Sequence, residues 1–168
     1  MSRTKDAEDK EVGAADAGAS ASRYAPDVVK ILVVEDNADD LELMRLAFRR
    51  GGIANPLLAA KDGAEALDLL YQDALAGRRD INLVVLDLTL PRVDGREVLK
   101  RIWDDKRLRH IPVIVLSGSK SDVDLISSYK TGAVAFLRKP IQVLDFLQAI
   151  LDLNSYKIVV VKGDSFEG

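Results

Sequence analysis

Four short apolar runs in this chain each end in a side chain able to do chemistry. Residues 28–34 (VVKILVV) run into Glu35-Asp36, residues 83–86 into Asp87, residues 111–116 (IPVIVL) into Ser117, and residues 134–138 (VAFLR) into Lys139. If the runs lie side by side, three carboxylates, a hydroxyl and an ammonium share one crevice. Clustered carboxylates repel one another, and a hard divalent cation bound through their oxygens relieves that repulsion. A carboxylate on the rigid end of a strand is also well placed to act as a nucleophile. Plainer readings exist for each: Asp87 as a turn-starting aspartate, Ser117 as a turn hydroxyl, Lys139 as a solvated strand-end charge.

The elements that must position these groups can be read from periodicity. The run 83–86 is unbroken, too short for a typical helix and rich in β-branched residues, so it reads as a strand covered on both faces. After Asp87, Pro91 and Asp94-Gly95 punctuate a loop, and Asp94-x-x-Glu97 predicts a capped helix from Gly95 to about Asp104, burying Val98, Leu99 and Ile102. Residues 28–34 form a first strand, and residues 38–50 a helix with Leu41, Met44 and Phe48 on one face, stopped by Arg49-Arg50-Gly51-Gly52. Residues 56–60 read as a short strand. Asp62-Gly63-Ala64-Glu65 is a capping box opening a helix to about Ala76, with Ala66, Leu67, Leu70 and Tyr71 inward.

Residues 111–116 make another buried strand, followed by a helix over about 122–130 that stops at Gly132. Residues 134–138 form the fifth strand. A last helix over 143–153 is expected to bury Leu144, Leu147 and Ile150 or Leu151. Five strands alternating with five helices on this spacing argue for a parallel sheet covered on both faces. In such a sheet the C-terminal strand ends share one edge, and ligands bind where the strand order reverses.

Composition narrows the function. The chain has 168 residues, net charge −3, 30% charged residues, one histidine (His110) and no cysteine. Disulfides, thiolate catalysis and a cysteine or multi-histidine metal site are thereby excluded. The acidic balance argues against a nucleic-acid surface, which needs clustered Lys and Arg. No apolar run approaches the ~20 residues that span a bilayer, and the polar N-terminus does not read as a signal peptide, so a cytoplasmic location with no membrane partner is expected. Residues 1–25 carry four Lys or Arg against five Asp or Glu and almost no large apolar side chain, so a disordered tail is expected there.

Taken together, Glu35-Asp36, Asp87 with Pro91 and Asp94-Gly95 after it, Ser117-Gly118 and Lys139-Pro140 make the chain resemble a receiver domain of a two-component response regulator. The resemblance covers about residues 30–153, within a receiver domain expected over 28–153. It implies a (βα)5 doubly wound sheet in the order 2-1-3-4-5, flavodoxin- or CheY-like. It implies that Asp87 is the phosphoacceptor and that Mg2+ (or Mn2+) is held by Asp36 and Asp87 directly, by Glu35 through water, and by the Thr89 backbone carbonyl. Lys139 would stabilise the transferring group, and Ser117 would hydrogen-bond a phosphoryl oxygen once it arrives. Phe136, three positions before Lys139, would be the switch aromatic; most such receivers carry Tyr there, and Phe lacks the hydroxyl. A permanently buried Phe is the plainer alternative. The Lys139-Pro140 bond is expected to be cis. The domain would act on its own Asp rather than turn over a substrate as an enzyme.

The resemblance also bears on partners. After Pro140 too few residues remain for the final helix and a second domain, so a stand-alone receiver is expected, with a sensor histidine kinase as partner. The segment 117–133 and the tail most resemble the single-domain regulators paired with bacterial phytochrome kinases. Residues 154–168 form an extension in which Tyr156, Ile158, Val159, Val160 and Val161 make a β-branched arm. Left alone it is an aggregation-prone edge, so it is expected either to pack on its own domain or to dock on a second subunit in a two-fold homodimer. Two other functions compete. A haloacid-dehalogenase-type phosphatase also uses an Asp after an apolar strand, but needs a second Asp where this chain has Thr89. A degenerate receiver serving only as a protein-binding module sits poorly with intact Asp36, Asp87 and Lys139.

Overall fold

Runs of Val, Ile and Leu without polar alternation stay extended only where both faces are covered, and each run here is followed by an amphipathic segment able to supply the cover. The computed structural model, which describes residues 30–128 and 133–153, has that arrangement. Its elements alternate as β1 (Lys30–Val34), α1 (Ala38–Arg50), β2 (Leu57–Ala60), α2 (Gly63–Leu75), β3 (Ile81–Asp87), α3 (Gly95–Asp104), β4 (Val113–Ser117), α4 (Lys120–Ser128), β5 (Ala133–Arg138) and α5 (Val143–Asp152). The strands pair in parallel in the order β2-β1-β3-β4-β5, the doubly wound topology expected. The tail expected at residues 1–25 and the arm expected at 154–168, with Tyr156, Ile158, Val159, Val160 and Val161, lie outside the described residues.

Side-chain alternation along the strands divides the core. Leu32, Val34, Val84 and Leu86 pack with Leu67, Leu70, Val98 and Ile102 of α2 and α3. Ile31, Val33, Leu83 and Val85 pack with Met44, Phe48, Phe146 and Ile150 of α1 and α5. Phe48 and Phe146 meet edge to face with centroids 5.0 Å apart. Each such side chain contributes about 1.5–3 kcal/mol by leaving water, and that sum holds the strand ends rigid.

Local chemistry shifts several boundaries. β4 begins at Val113 and not at Ile111, because Pro112 has no N–H for the ladder and offers only its carbonyl, to Val84 N. α4 begins at Lys120, two residues early, since the Ser119 hydroxyl accepts from Ser121 N and caps that turn. The Asp62–Glu65 cap forms in both directions, Asp62 accepting from Glu65 N and Glu65 from Lys61 N. The Asp94–Glu97 box forms only in half: Asp94 caps Arg96 N, while Glu97 pairs with Arg101 one turn on. Leu144, expected to be buried, is 78% exposed, and Leu151 is 43% exposed. The phase of α5 is set by Phe146 and Ile150, and Leu144 lies about 200° round the helix from Phe146.

Register then delivers the polar residues to one edge. Val34 pairs Leu86, Asp87 pairs Leu116 and Ser117 pairs Arg138, so Glu35 is level with Asp87 and Lys139 comes one step beyond Ser117. The winding reverses between β1 and β3, the point at which such sheets bind ligands.

Candidate functional site

Each acidic residue is placed by a local device. Glu35 N donates to Ala60 O, prolonging the β1–β2 ladder by one bond, and the Glu35 side chain is turned inward with 2% of its surface exposed. Asn37 caps α1 by accepting from Asp39 N and Asp40 N, while its own N–H donates to Glu35 Oε1. That cap leaves Asp36 exposed at the lip and brings Asp40 round on the first helical turn. Asp87 closes β3; its Oδ1 accepts from Thr89 N at 2.9 Å, which fixes the carboxylate plane. Behind it, Gly95 N donates to Leu88 O, and a Cβ at Gly95 would stand 2.2 Å from the Asp87 carbonyl oxygen. Only glycine permits that approach of α3 to the strand end.

Lys139 joins these groups. Its N–H donates to Ser117 O at 2.8 Å, carrying the β4–β5 pairing past the strand, and its bond to Pro140 is cis, as expected. The ammonium donates to Asp87 Oδ2 at 2.6 Å, Glu35 Oε2 at 2.8 Å and Asp40 Oδ2 at 3.1 Å. One carboxylate oxygen each from Glu35, Asp36 and Asp87 lie within 4.8 Å of one another. Burial pushes the Glu35 carboxyl up to about 7, against the pull of Lys139 and the Asn37 N–H and with the help of Asp87. Burial alone would lower the Lys139 ammonium, but its hydrogen bonds to Asp87 and Glu35 outweigh that and hold it above its ordinary value. Three carboxylates on one ammonium, with Asp36 beside two of them, leave surplus negative charge, and an all-oxygen donor set of this kind suits a hard divalent cation.

Of the residues singled out in the sequence, Glu35, Asp36, Asp87 and Lys139 are thus brought together. Thr89 borders the group, with its N–H on Asp87. Ser117 is buried at the same edge, but its hydroxyl donates to Ser119 O at 2.9 Å, with Asp122 Oδ2 a second acceptor at 3.3 Å. Phe136 is half-buried and packs against the apolar layer under α2 and α3. Asp40 was not singled out. Its spacing, one helical turn after Asp36 on a helix opening at the same strand end, carried the signal.

The family profile described as the response regulator receiver domain matches residues 31–151. The chain belongs to the response regulator receiver family. This receiver is 40% identical over 132 residues to the probable methanogenesis regulatory protein FilR2 of Methanothrix harundinacea (79% of this chain, 85% of that one). It is 33% identical over 132 residues to response regulator Rcp1 of Synechocystis (78% and 90%). Among solved structures, the bacteriophytochrome response regulator AtBRR aligns with TM-score 0.69 at 40% identity (83% of this chain, 100% of that one). The Mn2+-bound form of Rcp1 aligns with TM-score 0.61 at 31% identity (82% and 99%). The phosphorylated cyanobacterial phytochrome response regulator RcpA aligns with TM-score 0.63 at 31% identity (81% and 99%). The matched region of the receiver encloses every residue of the crevice from Glu35 to Lys139. No helix among the described residues is long and apolar enough to cross a membrane.

Proposed function

We propose that Asp87 accepts a phosphoryl group from a sensor histidine kinase and that the resulting charge changes the surface presented by this receiver. The observation that carries this reading is the Lys139 ammonium 2.6 Å from the Asp87 carboxylate, with Glu35 and Asp36 oxygens within 4.8 Å. An Asp87 oxygen attacks phosphorus in line; the new O–P bond forms as the P–N bond to the kinase histidine breaks, and the imidazole leaves. Lys139 offsets charge on the transferring group from a position already set. Asp36 and Asp87, with Glu35 through water and the Thr89 carbonyl, would hold Mg2+ or Mn2+. That cation supplies positive charge opposite the phosphoryl oxygens. Support comes from the all-oxygen donor set and from the Mn2+-bound and phosphorylated relatives. The protein modifies itself and is not a turnover enzyme.

Phosphorylation adds about −1.5 to −2 charges and three acceptor oxygens. Ser117 turns to one of those oxygens, and Phe136 moves with the loop after β4. The similarity to AtBRR and Rcp1 favours a bacterial phytochrome as the kinase, and a cytoplasmic location belongs to the same reading. The arm at Tyr156, Ile158, Val159, Val160 and Val161 joins two copies into a homodimer; cutting the chain after Asn154 should then halve the mass in solution, and an unaltered mass removes the arm from that role.

Phosphoramidate with magnesium tests the central reading. An acid-stable, base-labile label on Asp87, absent from Asp87→Asn, is expected; equal labelling of the variant overturns it.

A further inference from the structure

The Ser117 hydroxyl is engaged with the loop and helix that follow it. A hydroxyl has a single proton to give. Here it goes to Ser119 O, with Asp122 of α4 as the neighbouring acceptor, while Ser119 N donates back to Oγ. Asp122 is not left bare. Arg96 on α3 donates through Nη2 to its Oδ1 and through Nη1 to both oxygens of Asp94 at 3.2 Å. The two carboxylates share one guanidinium, and the Asp122 contact holds Arg96 above its ordinary range. A line of polar contacts therefore leads from Ser117 through Asp122 and Arg96 to the N-terminus of α3.

We propose that Asp122 is a positioning residue that opposes the turn of the Ser117 hydroxyl toward a phosphoryl group, and that Arg96 moderates that opposition. The inference rests on Asp87 being the phosphoacceptor. When Ser117 gives its proton to a phosphoryl oxygen, its oxygen lone pairs are left facing Asp122, an acceptor only. The same step sets a group of nearly two negative charges one hydroxyl away from the Asp122 carboxylate. Both effects disfavour the phosphorylated state, and the guanidinium of Arg96 offsets the second.

The two partners of this ion pair should thus act with opposite sign, which a bridge that only joins α3 to α4 would not do. Magnesium and beryllofluoride, added to the full chain and monitored by amide chemical shifts, read the balance. Asp122→Asn should bind about fivefold tighter than wild type, and Arg96→Gln about fivefold weaker. Arg96→Lys should recover most of the loss, and the double variant Arg96→Gln, Asp122→Asn should match Asp122→Asn. Shifts of one sign in both single variants, or variants indistinguishable from wild type, overturn the proposal while leaving the phosphoacceptor reading intact. A wild-type protein that ignores beryllofluoride overturns both.

Discussion

Lys139 Nζ lies 3.1 Å from Oδ2 of Asp40, a carboxylate delivered by the first turn of α1 and not by a strand end. Asp40 therefore shares the ammonium with Glu35 and Asp87 and adds to the charge that attracts a cation. Asp40→Asn should weaken magnesium binding by about two- to fivefold while leaving phosphate uptake on Asp87 in place. Asp36→Asn, which removes a proposed ligand, should weaken binding far more. Calorimetric titration of both variants decides; equal losses would make Asp40 a ligand in its own right.

Removing the shared cation leaves three acidic side chains facing one another. Lys139→Ala should destabilise the metal-free protein by about 3 kcal/mol, the usual cost of stranding buried charge. Saturating magnesium should restore much of that loss, because binding only to the folded state stabilises it. Phosphate uptake should stay low even when stability is restored. Urea unfolding with and without magnesium checks the first two statements, and labelling with phosphoramidate the third.

Glu35 gives the metal-free protein a pH dependence of definite sign. Its carboxyl sits at about 7 in the folded state against 4.5 ordinarily, so between those values the folded chain binds the extra proton. Stability is then fully present below the ordinary value and declines as pH rises through about 7. Melting temperature without metal should fall between about pH 5 and about pH 8, and Glu35→Gln should flatten the slope. A slope that persists in Glu35→Gln assigns it elsewhere.

Gly95 is held to its identity by contact with backbone, which cannot move aside as a flexible side chain can. A methyl there would stand 2.2 Å from the Asp87 carbonyl oxygen and 2.6 Å from Leu88 Cα. Gly95→Ala should cost about 2–4 kcal/mol and lower phosphate uptake by displacing the end of β3. Thermal melting that matches wild type would contradict the close packing.

Much of this was legible in the chain because doubly covered strands print themselves as apolar runs, and four of the five runs stopped at a candidate functional residue. Glu35, Asp87 and Ser117 are the first polar residues after their apolar runs, and Asp36 and Lys139 stand one residue further on. The boundaries that moved did so for local reasons: Pro112 cannot donate to a ladder, and Ser119 caps a turn that its sequence neighbours did not advertise. Asp40 and the Arg96–Asp122 pair escaped because their roles depend on which residues of other elements lie opposite them. Leu144 escaped because an apolar residue at helical spacing reads as core whether it faces the sheet or solvent.

The main-chain bond from Lys139 N to Ser117 O has a consequence for how the crevice can respond. Ser117 and Lys139, the two side chains proposed to meet an incoming phosphoryl group, are thereby yoked at their roots, on neighbouring strands. On the function proposed above, an inward pull on the serine would be felt at the lysine too, so that β4 and β5 would respond as one unit.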